Sequence, residues 1–190
     1  MNTLMETRRK LAEAKFFFAL LKQVEDTGPI TSETLDDEAT YFLSALLSAM
    51  YSVLEYLNRE SKRALRACRD PRLAMQEALL KKETSGIKQR NGLLYNDPGR
   101  REDPNERGLR SLSVHHKIVD AQHHEHTIGT WGSAPWGRLR FGEARQVRSL
   151  FVRDPRTGAQ VSIVPFVTSH LHELEGLVAH WEERIRPVPE

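Results

Sequence analysis

Cysteine and long apolar runs are almost absent from this 190-residue sequence. The single cysteine, Cys68, excludes an intrachain disulfide and a zinc cluster of several thiolates, and it fits a reducing compartment, so we expect a cytoplasmic protein. The longest apolar stretch, YFLSALLSAMYSVL, is interrupted by serines and is shorter than the about 20 residues that a bilayer span requires. Charged side chains also interrupt the apolar residues near the amino terminus, so the sequence predicts neither a membrane span nor a signal peptide.

The sequence is also poor in net charge and in the motifs of common enzyme classes. Its formal net charge of +2 does not by itself indicate a nucleic-acid partner. The sequence lacks a glycine-rich phosphate loop, a GxSxG nucleophile motif and a paired-carboxylate signature. We also expect no cofactor. The remaining composition, with 39% hydrophobic and 28% charged residues, is typical of a globular domain.

Apolar residues recur at spacings of three and four in the first part of the chain, which predicts two amphipathic helices. The first covers residues 4–24, and Phe16 and Phe17 widen its apolar stripe. Gly28 ends this helix, and Thr31 or Ser32 can accept the hydrogen bond that caps the next one. The second helix, which contains ATYFLSALLSAMYSVLEYLNRES, has the stronger periodicity and is expected at the centre of the fold.

The rest of the chain changes from helical to alternating periodicity and back. A helix over residues 71–83 and another over 109–121 flank the polar segment NDPGRREDPNERG. VRSLFVR and AQVSIVPF, joined by the turn sequence DPRTG, predict a β-hairpin. The segment SHLHELEGLVAHWEERI predicts a final helix that is capped by Ser169 and buries Trp181.

Together these segments predict a mainly α fold, a bundle of four to six helices followed by a C-terminal β-hairpin and a final helix. We expect the helical core to occupy residues 1–126. The hairpin and closing helix then occupy residues 127–190 of the same domain, because no internal repeat or low-complexity tract indicates a second one.

The segment RSLSVHH, residues 110–116, combines side chains suited to phosphodiester chemistry. The guanidinium of Arg110 is always charged and can hold two phosphate oxygens at once. The imidazole of His115 or His116 titrates near neutrality and can move a proton at the attacking or leaving oxygen. These groups are sufficient for RNA cleavage without a metal, because the ribose 2′-hydroxyl supplies the nucleophile.

The spacing within one helix does not bring these groups together. At about 100° per residue, His115 lies ~140° from Arg110 and His116 ~120° in the other direction. Convergence therefore needs long side chains, a break in the helix near Ser113, or a second chain that contributes its own copy. A symmetric homodimer with two motifs at its axis meets the last condition.

The order of Arg110, Ser111 and His115 or His116, after a long helix and an acidic connection, resembles the HEPN domains over roughly residues 4–120. The resemblance implies a bacterial, metal-independent endoribonuclease of the toxin or defence type that acts as a homodimer. By position, Arg110 binds phosphate, His115 or His116 is the general acid and base, and Ser111 orients them. Serine departs from the Asn, Asp or His common at this position in active members, which makes the orienting role the least secure.

The same resemblance leaves a second function open, because some HEPN domains have lost catalysis and bind RNA, a nucleotide or a protein partner. A cognate antitoxin is one such partner. The basic segment 138–156 extends the expected RNA surface in either case. Its candidate RNA-binding residues are Arg138, Arg140, Arg145 and Arg148.

A metal site is the alternative interpretation of the histidines. If the helix over 109–121 continues, then His116, Asp120, and His123 or His124 lie at i, i+4, and i+7 or i+8, on one stripe. Two imidazoles and a carboxylate in that arrangement favour zinc. A closed site needs a ligand from a second element, for which the last helix offers His170, His172 and His180.

Overall fold

The computed structural model describes residues 4–31, 34–67, 72–95, 109, 121–128, 145–154 and 157–185, with the backbone alone at 126–128 and 145–147. These residues form four helices and three strands, in the order α1 Met5–Thr27, α2 Leu35–Ala67, α3 Leu73–Arg90, β1 Ala121–Ile128, β2 Arg145–Arg153, β3 Gln160–Ser162 and α4 Ile163–Arg184. The predicted mainly helical fold with a β-hairpin and a final helix is confirmed. None of the helices in these ranges has the length and apolarity needed to cross a bilayer.

Helices α1 and α2 form an antiparallel pair that a carboxylate joins at each end. The Glu60 carboxylate accepts hydrogen bonds from the backbone N–H groups of Glu6 and Thr7, at 3.1 and 2.9 Å, and from the Thr7 hydroxyl at 2.7 Å. At the opposite end, buried Glu38 accepts the backbone N–H groups of Ile30 and Thr31. Each carboxylate satisfies backbone donors that a helix end or connection leaves without intrahelical partners.

Replacing Glu60 with alanine is therefore expected to destabilise the fold by about 2 kcal/mol, since charged hydrogen bonds to the first turn of α1 are lost. Urea unfolding followed by circular dichroism measures the change. The matched control is Glu55→Ala, an exposed glutamate on the same helix, for which we expect a change within about 0.5 kcal/mol. Equal midpoints for the two variants would contradict the role of Glu60.

The start of α2 differs from the prediction by two to three residues. Its cap is Thr34, whose Oγ1 accepts the Asp37 backbone N–H at 3.2 Å, and not Thr31 or Ser32. Thr31 instead gives its backbone N–H to Glu38, and Ser32 lies outside the described residues. The cap position depends on where Glu38 holds the connection, which local residue preference does not reveal.

The core lies between α1, α2 and α4, with α3 packed alongside. The apolar stripe predicted for the last helix is confirmed, and Trp181 is completely buried. The expectation that Phe16 widens the buried stripe of α1 is wrong, because this ring is 59% exposed. Helix α3 is longer than predicted and continues through Gly86 to Arg90, since buried Thr84 and Ile87 keep the helical period across the glycine.

The three strands form an antiparallel sheet in the order β1-β2-β3. The predicted hairpin is the β2–β3 pair, and Gly158 supplies the positive φ of 72° in its turn. Strand β1 is not predicted from sequence; it pairs along β2 from Ala121 opposite Val152 to Ile128 opposite Arg145. The expected boundary between residues 126 and 127 falls inside this strand.

Helix α4 begins at Ile163, six residues before the predicted cap at Ser169. Strand β3 is only three residues long, so IVPF belongs to the helix and not to the hairpin. Proline in the first turn is compatible with this start because its missing N–H has no intrahelical acceptor there.

Candidate functional site

The segment that carries Arg110, Ser111, His115 and His116 lies outside the described residues. The nearest described residues on its two sides are Leu109 and Ala121. Leu109 is buried, and its backbone N–H donates to the Leu93 carbonyl at 2.8 Å. Ala121 is also buried, and its N–H donates to Thr40 Oγ1 at 3.1 Å, near the start of α2. The nearest described residue on each side of the motif segment therefore contacts the helical part of the fold.

Strand β1 overturns the helical arrangement on which the metal hypothesis depends. Ala121, the last residue of the helix expected over 109–121, is the first residue of β1, and His123 and His124 follow in the same strand. Adjacent residues of a strand face opposite sides of the sheet, so these two imidazoles diverge. The metal hypothesis places His123 or His124 on one helical stripe with His116 and Asp120, and for His123 and His124 this placement is wrong. His116 and Asp120 themselves lie outside the described residues.

Contacts of the two strand histidines agree with this divergence. His123 Nδ1 lies 2.8 Å from Asp36 Oδ1, and its backbone N–H donates to the same oxygen at 3.1 Å. The His124 ring packs edge-on against Phe151 on the other side of the sheet, with 5.0 Å between ring centroids. Within the described parts of the chain, no group of three His, Cys, Asp or Glu side chains is placed to hold a metal ion.

Of the four arginines predicted to extend an RNA surface, only Arg148 has a described side chain. Its Nε donates to the Glu125 carboxylate at 3.0 Å, which neutralises its charge locally. Arg138 and Arg140 lie outside the described residues, and Arg145 is described by its backbone position opposite Ile128.

A buried polar cluster at the end of α3 was missed by the sequence prediction, which considered His170 only as a metal ligand. Tyr95 Oη lies 2.6 Å from His170 Nε2, and the two rings meet edge-on. His170 Nδ1 lies 3.6 Å from Glu173 Oε2. Glu173 in turn accepts hydrogen bonds from the Arg90 guanidinium and, at 2.7 Å, from Asn91 Nδ2.

The imidazole of this cluster is neutral at physiological pH. Burial lowers the pKa of His170 to about 4, although the neighbouring Glu173 carboxylate opposes the shift. A neutral imidazole has one donor and one acceptor nitrogen. Nε2 shares a hydrogen bond with the Tyr95 hydroxyl, whereas Nδ1, 3.6 Å from Glu173 Oε2, has no hydrogen-bond partner among the described residues.

The cluster joins the turn after α3 to α4. Tyr95 and His170 are only 2% and 1% exposed, so substrate cannot reach either ring. Both Tyr95 and Leu93 belong to the turn after α3, and Leu93 is the residue that accepts the Leu109 N–H. The contact of Tyr95 with His170 therefore holds against α4 the same turn that Leu109 contacts.

A groove of about 790 Å³ runs beside the cluster between α3 and α4. Both of its carboxylates have a partner on the facing helix. Glu83 accepts the Trp181 indole N–H at 2.6 Å, and Glu173 accepts from the Arg90 guanidinium. These groups hold α3 against α4, and the motif segment is still the candidate functional site that the sequence predicts.

Comparison with protein-family models, curated proteins and solved structures finds no match for this chain.

Proposed function

We propose that the protein is a HEPN-like, RNA-directed protein that cleaves RNA without a metal. In this proposal Arg110 binds the scissile phosphate and His115 or His116 exchanges protons, with Ser111 orienting them. Two copies form a homodimer whose shared cleft brings the arginine of one motif near the histidines of the other. A bacterial toxin or defence role, with a cognate antitoxin, is the corresponding biological context.

The observation that supports the proposal is that the described residues on either side of the motif segment are attached to the bundle. Leu109 and Ala121 are buried, and each donates a backbone hydrogen bond to the bundle, to Leu93 and to Thr40. A reaction that needs an arginine and an imidazole within about 3 Å of one phosphate requires such attachment, because small displacements of either group cost large factors in rate.

The test is cleavage of mixed RNA by the purified protein in excess EDTA. We expect cleavage by the unmodified protein and a loss of about 100-fold or more in Arg110→Ala, since both phosphate binding and transition-state charge stabilisation are removed. Of His115→Ala and His116→Ala, the variant that removes the general acid and base shows a similar loss.

Matched controls are Arg9→Ala on α1 and His172→Ala on α4, which make the same chemical changes at exposed positions. Both should cleave at the unmodified rate. The proposal fails if no RNA is cleaved, or if the motif variants cleave as fast as these controls. Cleavage that appears only with added zinc would favour the metal alternative instead.

A further inference from the structure

Most of the cations that face α4 are matched by a carboxylate of that helix. Arg8 pairs with Glu182, Lys15 with Glu175 at 2.5 Å, and Arg90 with Glu173. These pairs join α1 and α3 to the last helix, so their charges are used within the fold.

The carboxyl-terminal half of α2 is different. Lys62 and Arg63 lie three and four residues after Arg59, which places all three on one side of the helix over about 6 Å of its length. Arg59 and Arg63 are exposed and Lys62 is half-buried. Among the described residues none of the three forms an ion pair, whereas Arg66, one turn further on, is neutralised by Glu77 at 3.0 Å.

Tyr56 adds an aromatic group to these cations. The Arg59 guanidinium lies over the Tyr56 ring, with its central carbon 4.2 Å from the ring centroid. This contact holds the guanidinium near the helix surface while its N–H groups remain available to an anion. An arginine plane beside an aromatic ring is also a surface on which an unpaired base stacks.

Helix stability alone does not account for the three cations. The favourable interaction of a cation with a helix carboxyl terminus is confined to the last turn, which in α2 contains Arg66 but not Arg59, Lys62 or Arg63. The charged groups of these three side chains also contribute little to the core, because the core lies on the opposite face of α2, around Leu57 and Ser61.

We infer that Tyr56, Arg59, Lys62 and Arg63, the α2 basic stripe, bind the phosphate backbone of single-stranded RNA. The inference rests on the proposed function. It assigns the contact with RNA to an exposed face of α2 instead of to the arginines of β2. RNA fits because closely spaced positive charges without internal partners complement a strand of phosphates, and Tyr56 with Arg59 accommodates a base.

The test compares two triple variants of the full-length protein for binding of a fluorescent single-stranded RNA at several salt concentrations; the RNA carries 2′-O-methyl groups, so the proposed reaction cannot cleave it. One variant is Arg59→Ala/Lys62→Ala/Arg63→Ala. The control is Arg9→Ala/Lys22→Ala/Lys81→Ala, which removes three exposed cations from α1 and α3 and changes the net charge equally. Circular dichroism confirms that both fold, because all six side chains lie on the surface or its margin.

We expect the stripe variant to bind about 10- to 100-fold more weakly near 0.1 M salt. Its plot of log affinity against log salt should be shallower by about two, the value for three lost contacts to a single strand. The control variant is expected to keep the affinity of the unmodified protein to within about threefold, which is the change expected from the loss of net charge alone.

Three results would overturn the inference in distinguishable ways. If the unmodified protein binds RNA and both triple variants bind it equally well, the stripe is wrong and the proposed function stands. If the unmodified protein neither binds nor cleaves RNA, both fail together. If polyglutamate displaces the RNA at equal charge concentration, the stripe is a surface for acidic proteins and not for RNA.

Discussion

Replacing Trp181 with alanine is expected to destabilise the protein by about 3–5 kcal/mol. The indole is completely buried in the middle of the core, and its Nε1–H donates to Glu83 Oε2 at 2.6 Å. The substitution removes a large apolar surface, leaves a cavity and deprives a half-buried carboxylate of its donor. Because domains are commonly stable by only about 5–15 kcal/mol, the expected loss is a fifth or more of the total.

Two further variants separate packing from hydrogen bonding. Trp181→Phe keeps most of the ring volume but not the donor, so we expect a smaller loss of about 1–2 kcal/mol. Phe16→Ala makes a similar aromatic-to-alanine change on the exposed side of α1 and should cost less than about 1 kcal/mol. Urea unfolding followed by circular dichroism gives all three values, and similar losses for Trp181→Ala and Phe16→Ala would contradict the structure of the core.

The stability of the protein is expected to fall as the pH is lowered from 6.5 towards 4, and His170 is the main cause. In the unfolded chain this imidazole takes up a proton near pH 6.5, but in the fold burial delays uptake until about pH 4. The unfolded state therefore binds more protons throughout this interval, which favours unfolding. A shift of that size corresponds to about 3 kcal/mol by the bottom of the interval.

The titrating groups around His170 do not reverse this sign. The Glu173 carboxylate faces Nδ1, and its hydrogen bonds from Arg90 and Asn91 outweigh burial and lower its own pKa. Its stabilising contribution is lost only as the pH falls towards that lowered pKa, which adds to the decline at the acid end. Tyr95 faces the other ring nitrogen and contributes its hydroxyl hydrogen bond.

The variant His170→Gln removes the titrating ring and keeps a polar group beside Tyr95. We expect it to be less stable than the unmodified protein at pH 7.5, because packing is lost, but to show a much flatter profile between pH 6.5 and 4.5. His172→Gln, two residues away and exposed, should keep the original slope. Urea midpoints at pH 7.5, 6.5, 5.5 and 4.5 provide the comparison, and an unchanged slope in His170→Gln would rule out the assigned role.

Most of the helical part of the fold could be predicted because its signals are local. The stripe of α2 and the stripe that ends at Trp181 repeat every three to four residues, and burying such a stripe is what holds a helix against a core. The hairpin turn was predicted for the same reason, since Gly158 supplies a positive φ that other residues rarely adopt.

Strand β1 could not be predicted because its residues give no strand signal. AQHHEHTI is polar and rich in histidine. It becomes a strand through pairing with β2, in which Arg148 lies 23 residues after its partner Glu125. This pairing removes the helical stripe on which the metal hypothesis depends, since it sends His123 and His124 to opposite sides of the sheet.

The sequence by itself determined which side chains are available for chemistry and which segments form amphipathic helices, because residue type and periodicity are local properties. Tertiary structure alone decided the surroundings of those side chains. It buried His170 against Tyr95, 75 residues away in the chain, paired Arg148 with Glu125, and left Arg59, Lys62 and Arg63 without carboxylate partners among the described residues. Burial and charge pairing depend on groups that are distant in sequence, and they set both the protonation of a histidine and the charge that a surface presents to solvent.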